Sequence, residues 1–202
     1  KNNIKGFNAS GVYLSMSGST ESKAIIISNN AIDTCRISGV WGFKAKDVVV
    51  LGNTIENCGL LGFGNTGYGI SMGEDSDPVE NVTITANSIR NCYRKAIDVH
   101  GGKALSISSN VCDDCKLYGI YALYQITDSG DESPVSRVVI TGNIVDFSGF
   151  TPTSSTYQVQ KGIEVGVFNT NTPNSISVPF LVTSNSVSGM NFDLGICYGY
   201  YT

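Results

Sequence analysis

Ile27-Ser28-Asn29-Asn30-Ala31-Ile32 and Val50-Leu51-Gly52-Asn53-Thr54-Ile55 are two copies of one pattern, with an aliphatic residue three before an Asn and another two after it. The same frame continues at Asn87, Asn110, Asn143 and Asn185, at successive gaps of 23, 34, 23, 33 and 42 residues. Self-similarity of this kind marks stacked structural units. The 23-residue gap is then the smallest unit, and the longer gaps carry insertions. Aligned on the Asn, the row three residues before it reads Ile27, Val50, Ile84, Ile107, Ile140 and Val182. The row two residues after it reads Ile32, Ile55, Ile89, Cys112, Val145 and Val187. Every member is apolar, and Ser, Thr and Gly stand between them at the period of two expected of strands. Stacked aliphatic ladders are therefore predicted for the interior. The Asn is expected at a tight bend, where its side chain bonds local backbone and tolerates left-handed geometry.

Five residues after the Asn stand Cys35, Cys58, Cys92 and Cys115, with Ser148 and Met190 continuing the frame. Units stacked at about 4.8 Å bring such thiols near one another, but parallel side chains do not meet the specific geometry of a disulfide. A row of reduced, buried thiols is predicted. Cys112-Asp113-Asp114-Cys115 supplies one C-x-x-C pair without a second pair at metal spacing, so neither a metal nor another cofactor is expected. A second strand opens on a small residue and an aliphatic: Gly11-Val12, Gly39-Val40, Gly69-Ile70, Ala96-Ile97, Gly119-Ile120, Gly162-Ile163 and Gly195-Ile196. Insertions fall at 15–23, 59–68, 74–81, 127–137, 148–160 and 168–179. Loops on a rigid scaffold are where binding sites are commonly built.

These features predict an all-β chain, a right-handed parallel β-helix solenoid of about seven coils over residues 1–202, with two strands recognised in each coil. Lys1 and the closing Gly199-Tyr200-Tyr201-Thr202 fall inside the repeating pattern without an atypical cap, so the chain reads as a piece of a longer protein. Charged residues make up 15% and the net charge is −4, with an isoelectric point near 4.9. That balance offers no basic footprint for nucleic acid. No apolar run approaches the 18 or so residues of a membrane span, so membrane insertion is not expected.

The ladders and the strand pattern make the chain resemble the pectate-lyase-like superfamily of parallel β-helix proteins, over nearly its whole length. Within that superfamily, the low charge, the abundance of Ser, Thr and Gly, and the irregular insertions look like the tailspike depolymerases of bacteriophages. That resemblance implies a polysaccharide substrate, capsule or O-antigen, a place outside the cell or on the virion, and a homotrimer. A fold does not fix a function, so the chemistry has to be sought in particular residues.

The outward position after each second-strand aliphatic forms a column: Tyr13, Trp41, Ser71, Asp98, Tyr121, Glu164 and Cys197. Two residues on, a parallel column contains Phe43 and His100, and Tyr124 lies one step beyond it. Flat aromatic faces suit sugar rings, and carboxylates suit hydroxyls or catalysis. Trp41, Tyr121 and Tyr124 are the expected substrate contacts, with Glu74 and Asp75 at the root of a neighbouring loop. Asp98 and Glu164 stand two coils apart, roughly 10 Å between backbones. Inverting glycosidases hold their carboxyls about 6.5–9.5 Å apart, so the pair is expected to act as acid and base in an order the spacing does not assign. Asp98-Val99-His100 projects Asp and His from one face, so His100 is expected to assist. A lyase needs cations for a uronate carboxylate and a base such as His100 or Tyr121. Arg94, Lys95, Lys103 and Lys161 are expected as solvated surface charges, which ranks the lyase below the hydrolase. A glycan-binding adhesin that does not cut is the non-enzymatic alternative.

Overall fold

The computed structural model describes residues 1–15, 24–59, 66–73, 79–126, 132–133, 135–149, 161–169, 180–189 and 194–201. Among them the chain winds as a right-handed parallel β-helix, and no helix interrupts it. Three sheets run along its length. The first holds the short strands Asn3–Lys5, Ala31–Asp33, Thr54–Glu56, Ser88–Arg90, Val111–Asp113, Ile144–Asp146 and Ser186–Ser188. The second holds Val12–Ser15, Ser38–Phe43, Tyr68–Met72, Lys95–His100, Tyr118–Ile126, Lys161–Asn169 and Leu194–Tyr201. The third holds Ile25–Ser28, Lys46–Leu51, Val79–Thr85, Gly102–Ser108, Val135–Thr141 and Phe180–Thr183. Neighbours along each sheet pair in parallel; a short offshoot, Glu132–Ser133, pairs antiparallel with Gln125 and Ile126.

A coil therefore carries three strands where the sequence pattern resolved two. The run from Lys95 to Ser108 shows why. Gly101 adopts the left-handed region at φ 73° and breaks the run between Lys95–His100 and Gly102–Ser108. An alternation of apolar and polar residues does not register such a corner, because it resumes on the far side.

Both predicted aliphatic rows stand in register. Ile27, Val50, Ile84, Ile107, Ile140 and Val182 stack through the third sheet. Ile32, Ile55, Ile89, Cys112, Val145 and Val187 stack through the first, and Ile4 extends that row below Ile32. In the central coils these side chains are buried to within a percent or so.

The Asn row is a ladder, and the expected local bond is made at Asn53, Asn87 and Asn143, whose Nδ2 donates to the carbonyl two residues before; two features go beyond the expectation. The left-handed residue is the one before it: Asn29, Gly52, Ala86, Ser109, Gly142 and Ser184 all have φ between 54° and 65°. The ladder Asn itself bonds between coils. Asn87 N and Nδ2 both donate to Asn110 Oδ1 at 3.0 Å, and Asn110 Nδ2 donates back to the Ile84 carbonyl at 3.0 Å. Asn2, which the repeat count did not include, adds a rung by donating to Asn30 Oδ1. Buried amides satisfied in this way lock the register of every coil against the next.

The thiol row holds for Cys35, Cys58, Cys92 and Cys115, all buried and unbridged. The Cys58 thiol and then burial push Cys35 well above the usual thiol range; Cys35 pulls Cys58 down, but Cys92 and burial outweigh it and push Cys58 up as well. Ser148 does not continue the row: it is exposed, and Phe147 is buried in its place. In the four Cys coils a left-handed residue, Thr34, Asn57, Asn91 or Asp114, precedes the thiol. A Phe at that point would be strained in the left-handed region, so the chain turns inward one residue sooner. Met190 lies outside the described residues.

Candidate functional site

The second sheet positions the site through a local break in its alternation. Ala96 and Ile97 are successive residues and both are fully buried. With two residues in a row facing the core, Lys95 and Asp98 emerge on the same outer face, although strand residues three apart ordinarily point to opposite sides. Lys95 Nζ donates to Asp98 Oδ1 at 2.7 Å. Two coils on, the same corner at Gly162-Ile163 sets Lys161 Nζ at 2.8 Å from Glu164 Oε1. Between the two ion pairs lies a tyrosine pair: Tyr118 is in register with both lysines, and Tyr121 with both carboxylates. The two tyrosine rings are 4.9 Å apart.

The stack is closely knit. Lys95 Nζ stands 3.7 Å from the Tyr121 ring centroid, and Lys161 Nζ stands 5.7 Å from that of Tyr118. A desolvated cation over an aromatic face is attracted by the ring quadrupole. His100 Nε2 approaches Asp98 Oδ1 at 3.4 Å, longer than a good hydrogen bond, and its ring is 5.7 Å from Tyr121. Arg94 donates to the Tyr68 hydroxyl at 2.6 Å.

Asp98 is 4% exposed, Lys95 4% and Glu164 1%. Burial opposes the charge on Asp98, but Lys95 and His100 outweigh it and hold the carboxyl well below the usual range. Burial draws the Lys95 ammonium down, against the pull of Asp98. The hydroxyl of Tyr121 is pushed far up by burial, then by Glu164 and Asp98. That of Tyr68 rises to about 12 by burial and by Asp98. Asp98 is thus an ionised acceptor at neutral pH, and both tyrosines are protonated donors.

Asp98, His100, Tyr121 and Glu164 are gathered in consecutive coils of one sheet face. Trp41 lies apart, two strands from Asp98 through Ser71. It forms an edge-to-face cluster with Tyr13 and Phe43, at centroid separations of 5.4 and 6.0 Å. Tyr124 pairs in register with Val167, and its side chain lies outside the described residues. Glu74 and Asp75 lie outside them altogether, as do most of the predicted insertions. Lys95 and Lys161 are not the solvated charges expected from their places near turns; Lys95 is buried and Lys161 partly buried, each paired with one of the two carboxylates. Tyr68 and Tyr118 were not singled out at all. All four stand just before the small residue that opens each second strand, so the column was present in the sequence, hidden by the assumption of unbroken alternation.

With ladders, coil and site face in place, the family follows. A family model for the right-handed beta helix region matches residues 1–191. The chain belongs to the right-handed β-helix family. No curated protein matches it. Among solved structures, a surface protein and adhesin of Streptococcus pneumoniae, PfbA, aligns at a TM-score of 0.39 with 11% identity, over 88% of this chain. The chain covers 66% of that adhesin structure.

Proposed function

We propose that this right-handed β-helix binds and hydrolyses a polysaccharide on the outer face of its second sheet. The observation that carries this reading is the buried stack of two ion pairs around Tyr118 and Tyr121. Burying ions costs several kcal/mol each unless geometry repays it, so such pairs are poor devices for stability. Ionisable groups held in perturbed environments gather where chemistry is done. In the inverting scheme Asp98, held ionised, takes the proton of the attacking water. Glu164, two coils away, is the acid: when substrate parts it from Lys161 it takes up a proton, and it gives that proton to the glycosidic oxygen as the bond to the anomeric carbon breaks. His100 orients Asp98, and the cluster of Trp41, Tyr13 and Phe43 receives sugar rings farther along the face. A capsule or O-antigen substrate, an extracellular or virion-borne setting and a trimeric assembly belong to the same proposal, through the tailspike resemblance.

Mass spectrometry of products formed from a panel of capsular and O-antigen polysaccharides tests it. Hydrolysis yields oligosaccharides one water heavier per cut, and Asp98→Asn or Glu164→Gln lowers the rate by about 10²–10⁴-fold, with folding checked by thermal melting. One observation favours a second reading: Lys95 and Lys161, held beside the carboxylates, suit a lyase that neutralises a uronate while His100 removes its C5 proton. Unsaturated uronic ends would establish that reaction instead. Binding without any cleavage would reduce the face to an adhesive surface.

A further inference from the structure

A second polar feature lies on the first sheet and shares no residue with the ion-pair stack. It is a cavity of about 500 Å³, lined among others by Glu56, Asn57, Arg90, Asn91, Asp113 and Lys116. Its size is that of small-molecule sites in general. Glu56, Arg90 and Asp113 end three consecutive strands in register, so the cavity follows the solenoid axis across coils. Its wall is partly fixed in place: Arg90 pairs with Glu56 at 2.8 Å, and Asn91 Nδ2 donates to Asn57 Oδ1 at 2.7 Å.

We propose that this groove is a saccharide-binding site, selective for an uncharged, polyhydroxylated chain. The groups left to serve a ligand are of both kinds. The Asp113 carboxylate accepts no hydrogen bond among the described residues. The Lys116 ammonium has a single contact there, 4.8 Å above the Tyr93 ring. A carboxylate, an ammonium and side-chain amides along one wall match vicinal hydroxyls, each of which donates and accepts. The lining carries three carboxylates, Glu56, Asp113 and Asp114, against two cations, Arg90 and Lys116, which disfavours an anionic glycan. This site stands independently of hydrolysis on the second sheet, and it gives the protein a hold on a glycan whether or not that glycan is cut.

The test is NMR of the side-chain amide groups of Asn57 and Asn91 during titration with maltohexaose, cellohexaose and xylohexaose, with hexagalacturonate as the anionic counterpart. Saturable shifts with at least one neutral hexasaccharide, and none with hexagalacturonate, are expected. Asp113→Ala combined with Lys116→Ala should weaken that affinity by about tenfold or more, while Asp98→Asn and Glu164→Gln, taken singly and shown to be folded by their amide spectra, leave it unchanged. The proposal is overturned if no neutral hexasaccharide shifts these amides at millimolar concentration, if hexagalacturonate does so instead, or if a folded Asp98 or Glu164 variant loses the effect. Failure of hydrolysis would show only in the products and leaves this readout untouched.

Discussion

Lys95 and Asp98 are nearly inaccessible to water, so each is the main reason the other can be charged where it stands. Removing one partner of a buried pair is far worse than never having had the pair, because an uncompensated charge remains. Lys95→Met is therefore expected to cost about 3–5 kcal/mol at neutral pH, read from urea unfolding. The pH dependence has a definite sign. The Asp98 carboxyl is held below its unfolded value, so its contribution is present above the ordinary carboxylate range, near pH 4, and is lost as pH falls through the depressed folded value. In Lys95→Met burial acts on Asp98 unopposed by its lysine, and its carboxyl titrates higher. The difference between wild type and variant should then shrink on going from pH 7 toward pH 3. An equal or larger difference in acid would mean that Lys95 contributes by packing on Tyr121 rather than by charge. The Lys-x-x-acid spacing recurs at Lys95-Asp98 and Lys161-Glu164, but on an unbroken strand it puts the two charges on opposite sides, and the corner at Ala96-Ile97 that brings them together is a property of backbone direction.

Within the strand corner, the small residue is required by contact. A Cβ added at Gly39 would lie 2.4 Å from Ile55 Cγ2, one at Gly69 2.3 Å from Ile89 Cγ2, and one at Gly119 2.3 Å from Val145 Cγ1. Ala96 occupies the same row and does carry a Cβ, and by the repeat the residue it faces is Cys112. Cys112 interrupts the Ile and Val row, and it lacks the branch that supplies the clashing Cγ atom. The one alanine and the one cysteine are thus halves of a single fit. Cys112→Ile should cost about 1–3 kcal/mol through overpacking, and Ala96→Gly about 0.5–1 kcal/mol. The double variant should cost clearly less than their sum in a double-mutant cycle. Strict additivity would show that the two side chains do not meet. At this scale the sequence was only half legible: the row of small residues and the thiol row could be counted, while Phe147 could not be placed, since its inward turn depends on the loss of one left-handed residue.

Across the whole molecule, what could be counted was what repeats. The Asn frame, the two aliphatic ladders and the outward column from Tyr13 to Glu164 recur in nearly every coil, and each survives as a register in the sheets. The site was legible as a face but not as an environment. Asp98 and Glu164 stood in the predicted column, yet their burial and their lysine partners depend on neighbouring coils. The same dependence governs stability, because each coil of a solenoid contacts only the next. Ile55, Ile89 and Cys112 are buried to 0–1% in the central coils, whereas Ile4, Val12, Leu14 and Ile25 at one end and Phe180, Val182 and Val187 at the other are only partly covered. Hydrogen exchange should be slow in the fully buried strands around Ile89 and Cys112. Asn110→Ala probes how far that protection is shared. It removes the acceptor for Asn87 and the donor to the Ile84 carbonyl, leaving buried groups unsatisfied at about 1–3 kcal/mol apiece. Exchange should accelerate on both sides of the missing rung, in Ser88–Arg90 and in Ile144–Asp146 as well as in Val111–Asp113, before it does so near either end. If all three sheets lose protection together, the coils unfold as one cooperative unit and nearest-neighbour stacking does not describe them.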